Sequence, residues 1–274
     1  MTTGTKAPKD LDARLKDNMA RIARKILVLS NKGGVGKSSV ATGMAAVLNG
    51  KGKSVGVLDA DIHGPSMSKM MGQEGMMLTG DDRGMNALEV REGLLLVSMA
   101  ALLPDQDHPV IWRGPMKMGV LKQFLAEARW GELDYLVIDV PPGTGDEPLS
   151  LCQLLPDLTG AVIVTTPQDI ALLDARKCVG FLRQLKIPIL GIVENMSGFK
   201  CPHCDKDIEL FKSGGGARAA KDLGIDLLGT IPFDPNMVRA ADDGKLFVEE
   251  HPDSEAARAM REVVESVLRR QGVS

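Results

Sequence analysis

Cys201 and Cys204 stand three positions apart in the stretch NMSGFKCPHCDKD, residues 195–207. Thiolates at that spacing hold metals or carry redox chemistry, yet structural zinc takes four nitrogen or sulfur ligands and the common iron–sulfur clusters take four cysteines. One chain offers this pair, with His203 between them, and no second C-x-x-C. The other two cysteines, Cys152 and Cys178, fall in stretches with a helical pattern and read as small buried hydrophobes. A twofold axis would bring the loop pairs of two chains together, giving four thiolates around one shared site.

A second chemistry lies in VLSNKGGVGKSSV, residues 28–40, which follows an apolar run and opens a helical pattern. That is the setting of a phosphate-binding P-loop. Gly33, Gly34, Val35 and Gly36 would let the backbone curl until its N–H groups, and the helix start carrying Ser38 and Ser39, face phosphate oxygens. Lys37 would reach the β- and γ-phosphates, and the Ser38 hydroxyl would ligate Mg²⁺. Asn31 replaces the usual first glycine, as a side chain tolerant of left-handed backbone. Lys32 is a second lysine for which a plain P-loop has no use. Asp59 and Asp139 close apolar runs, and Asp61 follows closely on the first. Carboxylates at the C-terminal ends of parallel strands lie where open α/β sheets bind ligands.

The run KGGVGKS, residues 32–38, resembles the deviant Walker A motif shared by the MinD and ParA ATPases, the nitrogenase iron protein and the Mrp/ApbC proteins. With WRGP at 112–115, DVPPGTGDE at 139–147, NMSGFKCPHC at 195–204 and SGGG at 213–216, the chain is similar to the Mrp/ApbC (Nbp) branch over roughly residues 24–250. Asp205 stands where many relatives carry glycine. The branch comprises ATP-dependent iron–sulfur cluster carriers, so the resemblance implies a homodimer whose Cys201 and Cys204 bridge a labile cluster, usually four-iron four-sulfur. Cluster assembly proteins would be the donors and apo iron–sulfur proteins the recipients. It further implies a slow ATPase in which Lys32 crosses the dimer to the partner's nucleotide, Lys37 holds phosphate and Asp61 orients water. Asp139 resembles the Walker B aspartate beside Mg²⁺, with Asp59 supporting that metal and Gly143 near the γ-phosphate. Asn195, Pro232 and Asp234 match the positions that meet the adenine, which favours ATP over GTP. The rival reading is a MinD/ParA-like dimeric switch with structural zinc at the cysteine pair. A nitrogenase-type electron donor ranks last, because its cysteines come from two separated segments.

These residues need elements that hold them. KILVLS (25–30), SVGVLD (54–59), LDYLVIDVPP (133–142), GAVIVTTP (160–167) and IPILGIVEN (187–195) are continuously apolar, as strands buried on both faces are. Helical patterns over 38–50, 116–129, 169–185, 214–223 and 253–270 would connect and cover them. The expected fold is α/β, doubly wound, with a mostly parallel sheet and helices on both faces. One domain spans 1–274, with an N-terminal helical extension to residue 24 carrying Leu11, Leu15, Met19 and Ile22 on one face. A cysteine loop would occupy 195–216 and a C-terminal helix 252–274. The methionines from Met67 to Met85 read as adaptable core filler.

Composition excludes other classes. The net charge is -3, with two Trp, one Tyr and six Phe, so the chain lacks the basic field and stacking surfaces of a nucleic-acid binder. No apolar run reaches the length of a membrane span, and the polar start MTTGTKAPKD is no signal sequence, which implies a cytoplasmic protein without a membrane partner. On the last helix Met260, Val263, Val264, Val267 and Leu268 form an apolar face without Trp or Phe anchors, suited to packing on the sheet.

Overall fold

The computed structural model describes residues 8–61, 64, 66–81, 84–102, 114–200, 204, 206–208 and 214–272. In chain order the elements are α1 (Pro8–Ala20), β1 (Ile22–Leu29), α2 (Lys37–Gly50), β2 (Val55–Asp59), α3 (Met67–Met70), β3 (Gly80–Asp81), β4 (Gly84–Met85), β5 (Leu88–Arg91) and β6 (Leu94–Ser98). They continue with α4 (Gly114–Glu127), β7 (Leu133–Asp139), α5 (Asp146–Leu154), β8 (Gly160–Thr165), α6 (Asp169–Gln184), β9 (Ile189–Asn195), β10 (Phe199–Lys200) and β11 (Asp207–Ile208). The last are α7 (Gly215–Leu223), β12 (Leu227–Ile231), α8 (Pro235–Asp242), α9 (Phe247–Glu250) and α10 (Glu255–Arg270).

Eight strands form one sheet in the order β12-β9-β8-β1-β7-β2-β6-β5, with β5 antiparallel to β6 and every other pair parallel. Successive strand side chains point to opposite faces. Ile26 and Val28 of β1 therefore join a core with α2 and α10, while Leu27 and Leu29 join a second core with α1, α4, α5, α6 and α7. This two-sided burial is why the strands read as unbroken apolar runs. The chain leaves β1 for α2 on one face, but leaves the neighbours β7 and β8 for α5 and α6 on the other. Connections that part in this way leave a crevice beyond the carboxyl ends of the strands.

The N-terminal helix ends sooner than its pattern predicts. Leu15 and Met19 are buried on the second core, but Ile22 pairs with Leu133 as the first residue of β1. The strand's ladder outcompetes another helical turn, and Lys25 caps the helix end by donating from Nζ to the carbonyls of Met19 and Ile22 at 3.2 and 3.1 Å. Asn18 Nδ2 fastens the helix to Leu125 and Ala128 carbonyls at 2.7 and 2.8 Å.

At the other end α10 runs over Glu255–Arg270 and buries Met260, Val263, Val264, Val267 and Leu268 against the sheet and α2. Gly43 and Gly229 make that approach possible, since a Cβ on either would lie 2.6 Å from Met260 and 2.8 Å from Val263. Met67 and Met71 fill the core as expected, whereas Met76 and Met77 are exposed. No helix among the described residues is long and apolar enough to cross a membrane.

Candidate functional site

The phosphate loop turns between β1 and α2 with Gly34 and Gly36 in left-handed backbone, φ 80° and 79°. Gly36 caps α2, leaving the first N–H groups of a 14-residue helix directed into the crevice, where an anion is stabilised. Asn31 is not left-handed, contrary to the sequence expectation; its Nδ2 instead donates to Asp174 Oδ1 on α6 at 2.7 Å and ties the loop to the helix beside it. Ser30 braces the loop twice, donating from Oγ to the Lys32 carbonyl at 2.9 Å and accepting at its own carbonyl from Gly143 N at 2.9 Å. Gly143, with φ 102°, is thereby held against the phosphate loop. Lys32 is exposed and makes no ion pair among the described residues.

Lys37 donates to Asp139, Nζ to Oδ1 at 2.5 Å, and Ser38 Oγ donates to Asp139 Oδ2 at 2.6 Å. Asp139 and Asp59 end adjacent parallel strands and face each other in register; both are fully buried. Burial is the main force raising the Asp139 pKa, with Lys37 opposing it. Asp59 is pushed up to about 7, by burial first and by the Asp139 charge second. Its oxygens are taken by the protein: Oδ1 accepts from Asp61 N at 3.2 Å, and Oδ2 from Met67 N at 3.3 Å and Ser98 Oγ at 2.9 Å. Asp59 thus fastens both ends of the 61–67 segment, and Asp61 stands half-buried at its start, accepting from Gly64 N at 3.3 Å.

Ser38 and Asp139 offer neighbouring hard oxygen atoms at a helix N-terminus, a donor set that suits Mg²⁺. Among the described residues no three His, Cys, Asp or Glu converge on one point. A cation there would complete its shell with water and phosphate oxygen, as Mg²⁺ commonly does.

Beside the loop opens a cavity of about 400 Å³ bordered by Ser39, Met70, Asn195, Pro232, Phe233 and Asp234. It lies in the size range of small-molecule sites and combines apolar walls with a few polar groups. Asn195 is buried, and its Nδ2 donates to the Val35 carbonyl at 2.9 Å, which fixes the amide against the phosphate loop. Asp234 caps α8, Oδ1 accepting from Asn236 N at 2.9 Å. Of the cysteine pair, Cys204 is exposed, while Cys201, His203 and Asp205 lie outside the described residues, as do His63, His108, Trp112, Arg113 and Ser213. Cys152 and Cys178 are buried, and burial pushes their thiols up to about 11 and about 12.

A ParA family model, described as NUBPL iron-transfer P-loop NTPase, matches residues 21–268. The chain belongs to this family. Among the relatives of this NTPase is the iron-sulfur cluster carrier protein of Methanocaldococcus jannaschii, 48% identical over 257 residues, covering 94% of this chain and 88% of the relative. A solved nucleotide-binding protein of Archaeoglobus fulgidus, in complex with ADP and with cobalt found in it, superimposes with a TM-score of 0.76 at 37% identity, covering 86% of this chain and 92% of that one. MinD of Pyrococcus horikoshii with Mg-ADP follows at 0.68 and 25%, covering 89% and 95%. The P-loop NTPase fold and the mostly parallel sheet are those expected from the apolar runs.

Sequence reasoning passed over three residues that hold this NTPase's site: Asp174, Ser98 and Glu194. Only Glu194 left a signal, as an acidic residue directly before Asn195 in an otherwise apolar strand.

Proposed function

We propose that this chain is an ATP-binding and slowly ATP-hydrolysing carrier that holds a labile iron–sulfur cluster between two subunits and hands it to apo-proteins. The name borne by the M. jannaschii relative and the ADP bound by the A. fulgidus protein support the reading. The observation that carries it is the contrast among the thiols. Cys204, three positions after Cys201 in the sequence, is exposed, whereas Cys152 and Cys178 are buried with raised pKa and stand as poor ligands. A cluster needing four thiolates therefore draws on two chains, each giving Cys201 and Cys204, and the four-iron four-sulfur type fits that number.

Gly33 to Gly36 and the N–H groups opening α2 would cradle the phosphates, with Lys37 leaving Asp139 for the β- and γ-oxygens. Ser38 and Asp139, with Asp59 behind them, would hold Mg²⁺, which when bound neutralises phosphate charge. Asp61 would orient the attacking water. Lys32, exposed and without an ion pair among the described residues, would reach the partner's nucleotide, and Gly143 would report the γ-phosphate to the loop it already contacts. The base would lie in the cavity at Asn195, Pro232 and Asp234. Cluster assembly proteins are the donors on this reading. A cargo site shared across an interface releases when subunits part, without unfolding either chain.

Anaerobic reconstitution followed by iron, sulfide and zinc counts tests this. On the order of four iron and four sulfide per dimer is expected, lost in Cys201→Ser and in Cys204→Ser. Zinc without iron or sulfide, or full loading in either variant, would overturn the carrier in favour of a MinD/ParA-like switch with a zinc staple.

A further inference from the structure

β9 ends in two polar residues, Glu194 at 0% exposure and Asn195 at 3%. Consecutive strand residues face opposite sides of a sheet, and these two serve different partners. Asn195 holds the phosphate loop through the Val35 carbonyl. Glu194 holds the segment that carries the cysteines, at both of its ends. Its Oε1 accepts from Ser197 Oγ at 2.5 Å and from Gly214 N at 3.3 Å, and its Oε2 accepts from Gly216 N. Ser197 precedes Cys201 and Cys204, and Gly214 follows them.

A buried carboxylate without a cation is costly, and Glu194 has no ion pair among the described residues. Three donors and the N-terminal dipole of α7, a nine-residue helix, offset that cost. The three glycines at 214–216 fit the same clasp, each for its own reason. Gly214 is left-handed at φ 73°; a Cβ on Gly215 would overlap the Pro167 carbonyl; a Cβ on Gly216 would lie 2.8 Å from Glu194 Cβ.

The first stem of the cysteine segment is also fastened to the wall of the nucleotide cavity. Ser197 N donates to the Ile231 carbonyl and Phe233 N donates to the Gly198 carbonyl, each at 2.9 Å. The Phe199 and Phe233 rings meet edge to face at 5.7 Å. Between Asn195 and Ser197, Met196 takes φ 57°, a conformation that a long side chain adopts only when its surroundings impose it.

We propose that residues 194–199 couple the nucleotide cavity to the cysteine segment, with Glu194 as the positioning residue that sets the spacing of the segment's two ends. A nucleotide in the crevice touches the phosphate loop and the wall at Phe233; both are bonded to this stretch, so its register follows the nucleotide. The proposal rests on the nucleotide site described above, and the importance of the spacing rests on the carrier reading.

The test uses the full chain with Cys201→Ser, leaving Cys204 as the exposed thiol; Cys152 and Cys178 are buried and react slowly. The rate of Cys204 alkylation by iodoacetamide is measured with and without Mg-ADP. Coupling predicts a change of about fivefold or more on adding Mg-ADP. In Glu194→Gln that change falls below about twofold, while Mg-ADP still raises the melting temperature. An unchanged ratio in Glu194→Gln, or no response to Mg-ADP in the parent chain, overturns the proposal. Should Glu194→Gln not fold, Ser197→Ala, which deletes one of the three donors, replaces it under the same criteria. Zinc in place of a cluster would sink the carrier reading and leave this ratio untouched, so the two failures are distinguishable.

Discussion

At the scale of single residues, the phosphate site buries two carboxylates at the ends of adjacent strands. Asp59 and Asp139 stand side by side in the sheet interior, and Lys37 is bonded to Asp139. The consequence is a stability that depends on pH in an unusual direction. The Asp59 pKa in the fold is about 7 against 3.8 for an exposed aspartate, so the folded state binds that proton more tightly than the unfolded chain. Its contribution is complete below about pH 4 and is lost as pH rises through 7. Denaturant unfolding of nucleotide-free protein from pH 4 to 8 should therefore show stability falling over that window. Asp59→Asn should flatten the fall, although it weakens the bonds to Asp61 N and Met67 N.

At the scale of elements, each helix of the site is fixed by a capping device suited to its task. The phosphate-binding helix α2 is capped by Gly36 alone, which leaves its N–H groups for a ligand. By contrast α10, which only packs, satisfies its own start: Ser254 Oγ accepts from Ala257 N at 3.1 Å. Ser254→Ala should cost about 1 kcal/mol, read as a lowered denaturation midpoint with the slope unchanged. Mg-ADP binding should be unaffected, because α10 touches the phosphate helix through its side, at Gly43 and Met260. The helix α7 shows a third solution, in which Glu194 from a distant strand supplies the acceptor its glycines lack.

At the scale of the whole molecule, the exposed Lys32 is where the proposed role of a second chain can be tested. An exposed cation at the rim of a phosphate site adds little to its own chain's binding, since surface charge is screened by solvent. It gains effect when a second subunit excludes water and brings the lysine to developing phosphoryl charge. Lys32→Ala should leave the Mg-ADP-induced rise in melting temperature intact and reduce ATP turnover per chain by at least about tenfold, a small part of what a trans-acting cation supplies in other phosphoryl-transfer enzymes. The wild-type rate per chain should climb with protein concentration, and the variant's should stay flat. Equal rates for both proteins would remove Lys32 from the reaction.

Much of this was legible in the linear sequence because it is local. The glycines around Val35, the Lys37–Ser38 pair and the apolar runs closed by Asp59, Asp139 and Asn195 each state a strand, a turn or a helix start within a few residues. The short edge strands β5 and β12, and β6 beside β5, were not legible; their runs are brief, and pairing with a neighbour decides them. Nor was the end of α1, where the β7 ladder claims Ile22. Asp174 meeting Asn31, Ser98 meeting Asp59 and Glu194 meeting Gly216 join residues 143, 39 and 22 positions apart. The backbone pattern carries one element at a time, so the sequence determined the fold's parts and the chemistry of its loops. The buried polar contacts that tie those loops to one another exist only once the sheet has closed around them, and the tertiary structure alone decided them.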